Sequence, residues 1–348
     1  MAGSMAEDVG AFMATMMMHT QPLPPERAAG LVRERYGLDA RVARLTGERD
    51  ENFRMSSADG REFVLKVAHP AEDPGVSEFI TAALLHLEGE DASLPCPRVV
   101  PDRSGRTEVR FRDETGVERT ARLLTYLPGE PLISSTGSRA LRATCGRLGG
   151  QLTRALRSFT HPAARRAVVW DVRHAGHFAA LLAEIPDFPC PRDASAVLAR
   201  IVPRIDSQFH RLRQQVVHND LNPRNILVTA AGEVSGIIDF GDMTFTAIIA
   251  DVAVTAAEHI PQDCTAGGAA AQSVGDVANA YHECMPLLPQ ERAMLGTLVA
   301  ARLIANVVVH EWHLHRNPAG DHYRPLAADF IRERLAIAAE LSLGEQSL

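Results

Sequence analysis

Two carboxylates and an amide stand in an order that suits transfer of a phosphoryl group. The run Val217-His218-Asn219-Asp220-Leu221-Asn222-Pro223-Arg224-Asn225 carries the pattern His-x-Asp-Leu-x-x-x-Asn, and the apolar Ile226-Leu227-Val228 follows it. An aspartate on such a loop can accept or orient the proton of an attacking hydroxyl. An asparagine held beside it can offer its amide oxygen to Mg2+. After a turn at Ala230–Glu233, the apolar Ile237-Ile238 ends in Asp239-Phe240-Gly241. A carboxylate at that point can hold the Mg2+ that bridges nucleotide phosphates. Taken singly, Asp220 is equally a turn residue ahead of Pro223, and Asp239 an Asx turn at a strand end. Their order and spacing favour the chemical reading, with Asp220 as base and Asn225 and Asp239 as metal ligands.

The nucleotide needs a cation as well. Glu62-Phe63-Val64-Leu65-Lys66-Val67 is an apolar strand with one lysine near its end. Alone, Lys66 reads as the solvent face of an edge strand; beside the downstream motifs it reads as the group that neutralises phosphates. Such a lysine wants a carboxylate from the next helix. Glu78 is the expected partner, and Glu72, set between Pro70 and Pro74, is the alternative. The covering loop Thr46–Phe53 holds a single glycine, so its backbone N–H groups and Asn52 are the candidates for phosphate contact. Leu123-Leu124-Thr125-Tyr126-Leu127-Pro128-Gly129 reads as a hinge, where groups near Leu124 and Tyr126 could meet a purine base.

The elements that must position these residues fall into two sets. Short runs at Ala40–Arg44, Asn52–Ser56, Arg61–Val67, Glu108–Phe111 and Val117–Tyr126 read as strands with turns at Ala58-Asp59-Gly60 and Asp113–Gly116. Val76–Leu87 has helical spacing at Phe79, Ala82, Ala83 and Leu87. Beyond Leu127-Pro128-Gly129 the chain is mainly helical: Ser138–Arg157, Asp171–Leu182, Asp193–Arg213, Ile248–Glu258, Gln272–Glu283, Gln290–His313 and Leu326–Leu341. A β-rich insert at Val216–Phe240 interrupts them. The expected fold class is α+β and bilobal, an N-terminal antiparallel sheet with one helix and a mainly helical C-terminal lobe. The expected divisions are an N-terminal extension over residues 1–30, a nucleotide-binding lobe over 31–126 and a catalytic, substrate-binding lobe over 127–348.

The 348 residues suit two lobes, and a formal net charge of −7 argues against a nucleic-acid partner, whose binding needs a basic surface. Five cysteines without a Cys-x-x-Cys pair point to reduced thiols in a cytoplasmic protein. The apolar run Val9–Met18 has no basic residue before it and is too short to span a bilayer, so neither a secretory signal nor a membrane partner is expected. His310, His313, His315 and His322 gather near Trp312, where surface histidines are a simpler reading than a metal site.

The Lys66 strand, Tyr126-Leu127-Pro128-Gly129, Trp170-Asp171, His218…Asn225 and Ile238-Asp239-Phe240-Gly241-Asp242 resemble the aminoglycoside phosphotransferase superfamily. That group also holds choline, ethanolamine, homoserine and hydroxylysine kinases. The likeness runs from about Leu31 onward, and Asp50-Glu51-Asn52-Phe53 with Asp242-Met243 makes the hydroxylysine kinases the nearest subfamily. The resemblance implies a protein-kinase-like fold and transfer from ATP or GTP, with Mg2+, to a hydroxyl of a small polar acceptor. It implies Asp220 as base, Asn225 and Asp239 on the metal, and Lys66 with Glu78 on the phosphates. His218 would support the loop, and Asp251 would brace it from a helix start, where a plain N-cap predicts nearly the same place. No Ala-Pro-Glu element follows Asp-Phe-Gly, which argues against a protein substrate.

The acceptor is read less sharply. A cationic amino group would want a carboxylate from Asp242, Asp171 or Glu258. An acceptor carboxylate would want Arg224 or Arg173, and each of these is otherwise a solvated charge. Three functions stay open: a kinase for an amino alcohol or hydroxy amino acid, an aminoglycoside kinase, and an inactive kinase fold used for binding. The intact set Lys66, Asp220, Asn225 and Asp239 speaks against the third. Oligomeric state is not legible.

Overall fold

The computed structural model describes residues 21–47, 49–135, 138–266, 268–318 and 324–344. The expected features Val9–Met18, Glu48 and His322 lie outside them. Strands β1 (Ala40–Leu45), β2 (Glu51–Ser57) and β3 (Glu62–Val67), a two-residue β4 (Val99–Val100), β5 (Val109–Arg112) and β6 (Glu118–Thr125) form one sheet. Its order is β1-β2-β3-β6-β4, with β5 also on β6, and every pairing is antiparallel. Burial alternates along β3, so Phe63, Leu65 and Val67 face one side while Val64 and Lys66 face the other.

Two helices cover the two faces. Helix α1 (Pro25–Tyr36) lays Leu31, Val32 and Tyr36 against Phe53, Met55, Phe63, Leu65 and Val67. It spans residue 30, the boundary expected between extension and lobe. Its signals were present, in a proline at the first position and Gly37 as a left-handed C-cap (φ 72°). Helix α2 (Pro74–Glu90) covers the opposite face, capped by Asp73, whose side chain accepts from Gly75 N at 2.8 Å. Phe79, Ile80 and Leu84 of α2 join Leu152, Leu221, Ile226, Phe240 and Met243 in one apolar cluster that runs across both lobes.

The chain leaves β6 and turns at Gly129, whose φ of 129° suits glycine alone. A Cβ there would sit 2.4 Å from Ser235 Oγ and 2.9 Å from Val228 O. Beyond it come β7 (Glu130–Pro131) and the helices α3 (Arg139–Ala155), α4 (Ala175–Ala183), α5 (Pro191–Gln208), α6 (Ile248–Glu258), α7 (Ala269–Cys284), α8 (Pro289–Arg316) and α9 (Ala328–Leu343). Helix α8 is long and apolar enough to cross a membrane by composition, but 83% of its most apolar stretch is buried inside the fold, so it acts as the core helix of this lobe. The insert comprises β8 (Gln214–Val217), β9 (Ile226–Val228), β10 (Val234–Ile237) and β11 (Thr244–Ala247). The last strand lies beyond Phe240, where the insert was expected to end. Thr244–Ala247 pairs antiparallel with Gln214–Val217, and the helix begins at Ile248. Four cysteines are buried, Cys284 is half-buried, and all five are unpaired thiols.

Candidate active site

Backbone geometry sets the loop that carries Asp220 before any side chain is considered. Asn219 (φ 64°) and Asp239 (φ 58°) are the two non-glycine residues with left-handed backbone among the described residues. Such a conformation costs about 1 kcal/mol and persists only where surroundings hold it. Buried Asp251, in the first turn of α6, holds the first: its Oδ1 accepts from Asn219 N at 2.8 Å and its Oδ2 from Thr153 Oγ1 at 3.3 Å. His218 lies under the loop, its Nδ1 accepting from Asp220 N at 3.3 Å and its ring edge-on to Phe240 with 4.8 Å between centroids. Burial pushes the His218 imidazole down to about 4, so it is neutral at pH 7.

Burial also pushes the Asp251 carboxyl up to about 6, against the backbone bond from Asn219 that pulls it down. The folded state therefore binds this proton more readily than the unfolded chain, whose aspartates titrate near 4. This group favours the fold fully below about pH 4, and that contribution fades as pH rises through about 6. Asp251→Asn keeps the shape and removes the titration. Urea unfolding should show the variant gaining on wild type by up to about 2–3 kcal/mol between pH 4 and 7. A gap that ignores pH would mean that Asp251 does not titrate in this range.

Asp220 is gripped from three sides. Its Oδ2 accepts from Asn222 Nδ2 at 2.9 Å and from Asn225 Nδ2 at 2.7 Å. Its Oδ1 meets Arg302 Nη2 at 2.9 Å, and its side chain is 17% exposed. Burial raises this carboxyl, Asp242 and Glu258 add to the rise, and Arg302 opposes it. Asn225 spends both of its bonds through Nδ2, on the main chain and side chain of Asp220. Its Oδ1 is left for another ligand. Ile238 N donates to Asn225 O at 2.9 Å, which ties the loop to the Asp239 turn. Asp239 opens to the cleft with 55% of its side chain exposed, 3.2 Å from Lys66 Nζ. That ammonium, ahead of every other influence, holds the Asp239 carboxyl at about 2. One carboxylate and one amide oxygen are hard donors of the number Mg2+ takes from protein, so these residues would fit a divalent ion.

The partner expected for Lys66 is a correction. Glu78 is exposed on the outer face of α2, where it meets Arg110 at 3.1 Å. The helix turns Ser77 and Thr81 to the sheet instead, and both donate to Glu108. Lys66 has Asp239, and Asp50 at 3.9 Å. Glu72 is the buried carboxylate of this region, 4.0 Å from Arg49, with its carboxyl pushed up by burial and by Asp50. Glu78→Gln should leave the turnover number within about twofold, since an exposed ion pair contributes under about 1 kcal/mol; a tenfold loss in a steady-state assay would restore it to the site.

At the hinge, Leu124 is buried in the sheet, paired with Val64 and Val99. Tyr126 donates its N–H to Glu62 O at 3.1 Å and lies under the Arg54 guanidinium. That amide is therefore occupied in this structure. Of the acceptor candidates, Asp242 acts electrostatically on both Asp220 and Arg49, and its main-chain oxygen accepts from Asn219 Nδ2 at 3.3 Å. Asp171 is fully buried: it caps a short turn through Arg173 N, accepts from Thr246 Oγ1 and pairs with Arg173 at 3.1 Å. Asp171 and Arg173 are thus paired with each other, and Arg224 is exposed.

Three arginines escaped the sequence reading. Arg49 Nη2, from the covering loop, and Arg166 Nη1 converge on Gly241 O at 3.4 and 2.7 Å. Arg302 bridges Asp220 to Glu258, with Nε 2.7 Å from Glu258 Oε1. Arg302 had a signal, as the single charge between Met294 and Val309. Arg166 had none.

The fold and this loop together define a protein-kinase-like phosphotransferase. Residues 41–288 match the phosphotransferase enzyme family, and the chain belongs to it. It is a small-molecule kinase that phosphorylates an alcohol group. Similar proteins include hydroxylysine kinase of Mus musculus, 25% identical with 87% of this chain and 85% of that protein covered. Hydroxylysine kinase of Danio rerio is 26% identical, with 86% and 87% covered. Among solved structures, an amicoumacin kinase in complex with AMP-PNP and Ca2+ has a TM-score of 0.67 at 15% identity, covering 91% of this chain and 92% of that one. A microcompartment-associated aminopropanol kinase has a TM-score of 0.62 at 19% identity, covering 91% and 95%.

Proposed function

We propose that this chain transfers the γ-phosphoryl group of Mg-ATP or Mg-GTP to the hydroxyl of a small amino alcohol or hydroxy amino acid that bears an ammonium beside that hydroxyl. The observation that carries this reading is the sign of the charge around the base. Asp242 and Glu258 both act on Asp220, and Arg302 is the cation in contact with it. At Asp220 itself two further carboxylates stand against one guanidinium, while Arg49 and Arg166 act on Asp242, and this local excess at the base favours an acceptor carrying its own positive charge. The 1,2-amino alcohol end of 5-hydroxylysine has that form, and so do ethanolamine and aminopropanol. The likeness to hydroxylysine kinases supports this reading.

In this mechanism Asp220 takes the hydroxyl proton and Lys66 neutralises the phosphates. The α6 brace through Asp251 and the neutral His218 keep the loop in its left-handed turn. A divalent ion held by Asn225 and Asp239 would supply neutralisation of phosphate charge. Catalysis on this plan is positioning and charge stabilisation.

A coupled assay with Mg-ATP and Mg-GTP against 5-hydroxylysine, homoserine, ethanolamine, 1-amino-2-propanol, choline and kanamycin tests it. Turnover of a 1,2-amino alcohol is the expected result. Turnover of kanamycin alone would move the chain to aminoglycosides, and silence with every pair would remove the proposed acceptor class.

A further inference from the structure

A lone arginine at the centre of a core helix calls for a reason. Arg302 sits midway along α8 among Leu298, Val299, Ala301, Leu303, Ile304 and Ala305, all buried, and it is itself 4% exposed. Burying a guanidinium costs several kcal/mol, and a well-packed aliphatic side chain at such a place is often as stable or more so. Packing does not explain it. Its contacts do. Nε bonds Glu258 Oε1 at 2.7 Å, Nη1 reaches Trp170 O at 3.4 Å, and the guanidinium lies 5.2 Å from the centroid of the Trp170 ring. Glu258 is in turn held by Asn306 Nδ2 at 2.9 Å. The guanidinium is thus fixed before it meets Asp220 through Nη2 at 2.9 Å.

An ionised carboxylate offers about four acceptor directions. On Asp220, Asn222 and Asn225 take those of Oδ2, and Arg302 takes one of Oδ1. One direction on Oδ1 remains. We infer that Arg302, anchored by Glu258 and Trp170, is a positioning residue that fixes the Asp220 carboxylate so that a single lone pair is presented to the acceptor hydroxyl. The inference rests on the reading of Asp220 as the base. It adds that α6 and α8, far from the motif in sequence, set the direction of proton removal. Because Arg302 is taken up by Glu258 and Asp220, it makes no separate contact with the acceptor.

The role predicts a loss in the turnover number and not in binding. In the full chain, assayed with the acceptor that wild type turns over, Arg302→Gln should lower kcat by about 100-fold, the penalty expected of a misaligned reacting group. KM for acceptor and nucleotide should stay within about threefold. Arg302→Lys should recover part of the rate, since an ammonium supplies the charge but lacks the fork that spans Asp220 and Glu258. Glu258→Gln keeps the guanidinium and loosens its anchor, so a smaller kcat loss of about tenfold is expected; this variant serves if Arg302→Gln does not fold. Guanidinium ion at millimolar concentration should restore activity to Arg302→Ala. Folded Arg302→Gln with kcat within about twofold of wild type would overturn the inference. So would a loss carried by the acceptor KM alone, which would make Arg302 a binding contact. A wild-type chain silent with every acceptor would instead overturn the proposed function on which this inference rests.

Discussion

Asp220→Asn should lose about a thousandfold in kcat while keeping its fold and its nucleotide affinity, as removal of a general base does. The expectation follows from what surrounds the side chain. Every group that touches the carboxylate is a donor: two side-chain amides on Oδ2 and a guanidinium on Oδ1. An asparagine must turn its own NH2 toward one of these sets, so a donor faces a donor in either orientation. The oxygen direction left for the acceptor hydroxyl is lost or misaimed. Arg302 keeps Glu258 as partner, so the variant leaves no cation alone in the core, and the fold should survive. Lys66 and Asp239 are untouched, so nucleotide binding measured by calorimetry should change by less than about threefold. A variant that kept a tenth of the wild-type rate would remove Asp220 from the role of base.

The parts of this site legible in the sequence are those encoded by short contiguous motifs. Asp220 and Asn225 share one loop and bond each other, and the neighbouring strand end of Asp239 is tied to that loop through Ile238 N and Asn225 O. The bracing role of Asp251 came from the resemblance alone, and the carboxylate accepts from Asn219 N of the loop rather than from an N–H of its own helix. What failed was every judgement that needed helix rotation or the packing of distant elements. Glu78 and Ser77 are adjacent in sequence, yet a 100° turn between neighbours on a helix sends one to Arg110 outside and the other to the sheet. Asp171 was read as a candidate for the acceptor because it follows Trp170. The structure shows it fully buried on Thr246 and Arg173, contacts that cross 75 residues and two. Arg302 lies 82 residues beyond the aspartate it touches, and its only trace was one charge in an apolar helix. The fold class was easier. Alternating burial in β3 and three-to-four spacing in α2 report one chain segment at a time, whereas a site is a statement about several.

Asp239→Asn should move nucleotide binding and turnover in opposite directions when metal is absent and present. Asparagine tolerates the left-handed backbone at this position, so the turn should hold. The change therefore removes one negative charge and little else. With the carboxyl held at about 2 by Lys66, wild type carries that charge at every working pH. Without metal, the Asp239 carboxylate engages the Lys66 ammonium at 3.2 Å and repels incoming phosphates. The variant frees the lysine, leaving Asp50 at 3.9 Å as its remaining carboxylate. Nucleotide titrated in the presence of EDTA should then bind about fivefold tighter than to wild type, the change that about 1 kcal/mol of relieved repulsion gives. With Mg2+ the order reverses. Asn225 alone cannot replace a lost carboxylate ligand, and several kcal/mol of charge stabilisation in the transition state goes with it, so kcat should fall about a thousandfold. Tighter metal-free binding with collapsed turnover would identify Asp239 as the residue that exchanges Lys66 for the metal. Weaker metal-free binding in the variant would show that Asp239 does not compete for Lys66, and the observed ion pair would then carry no weight in nucleotide capture.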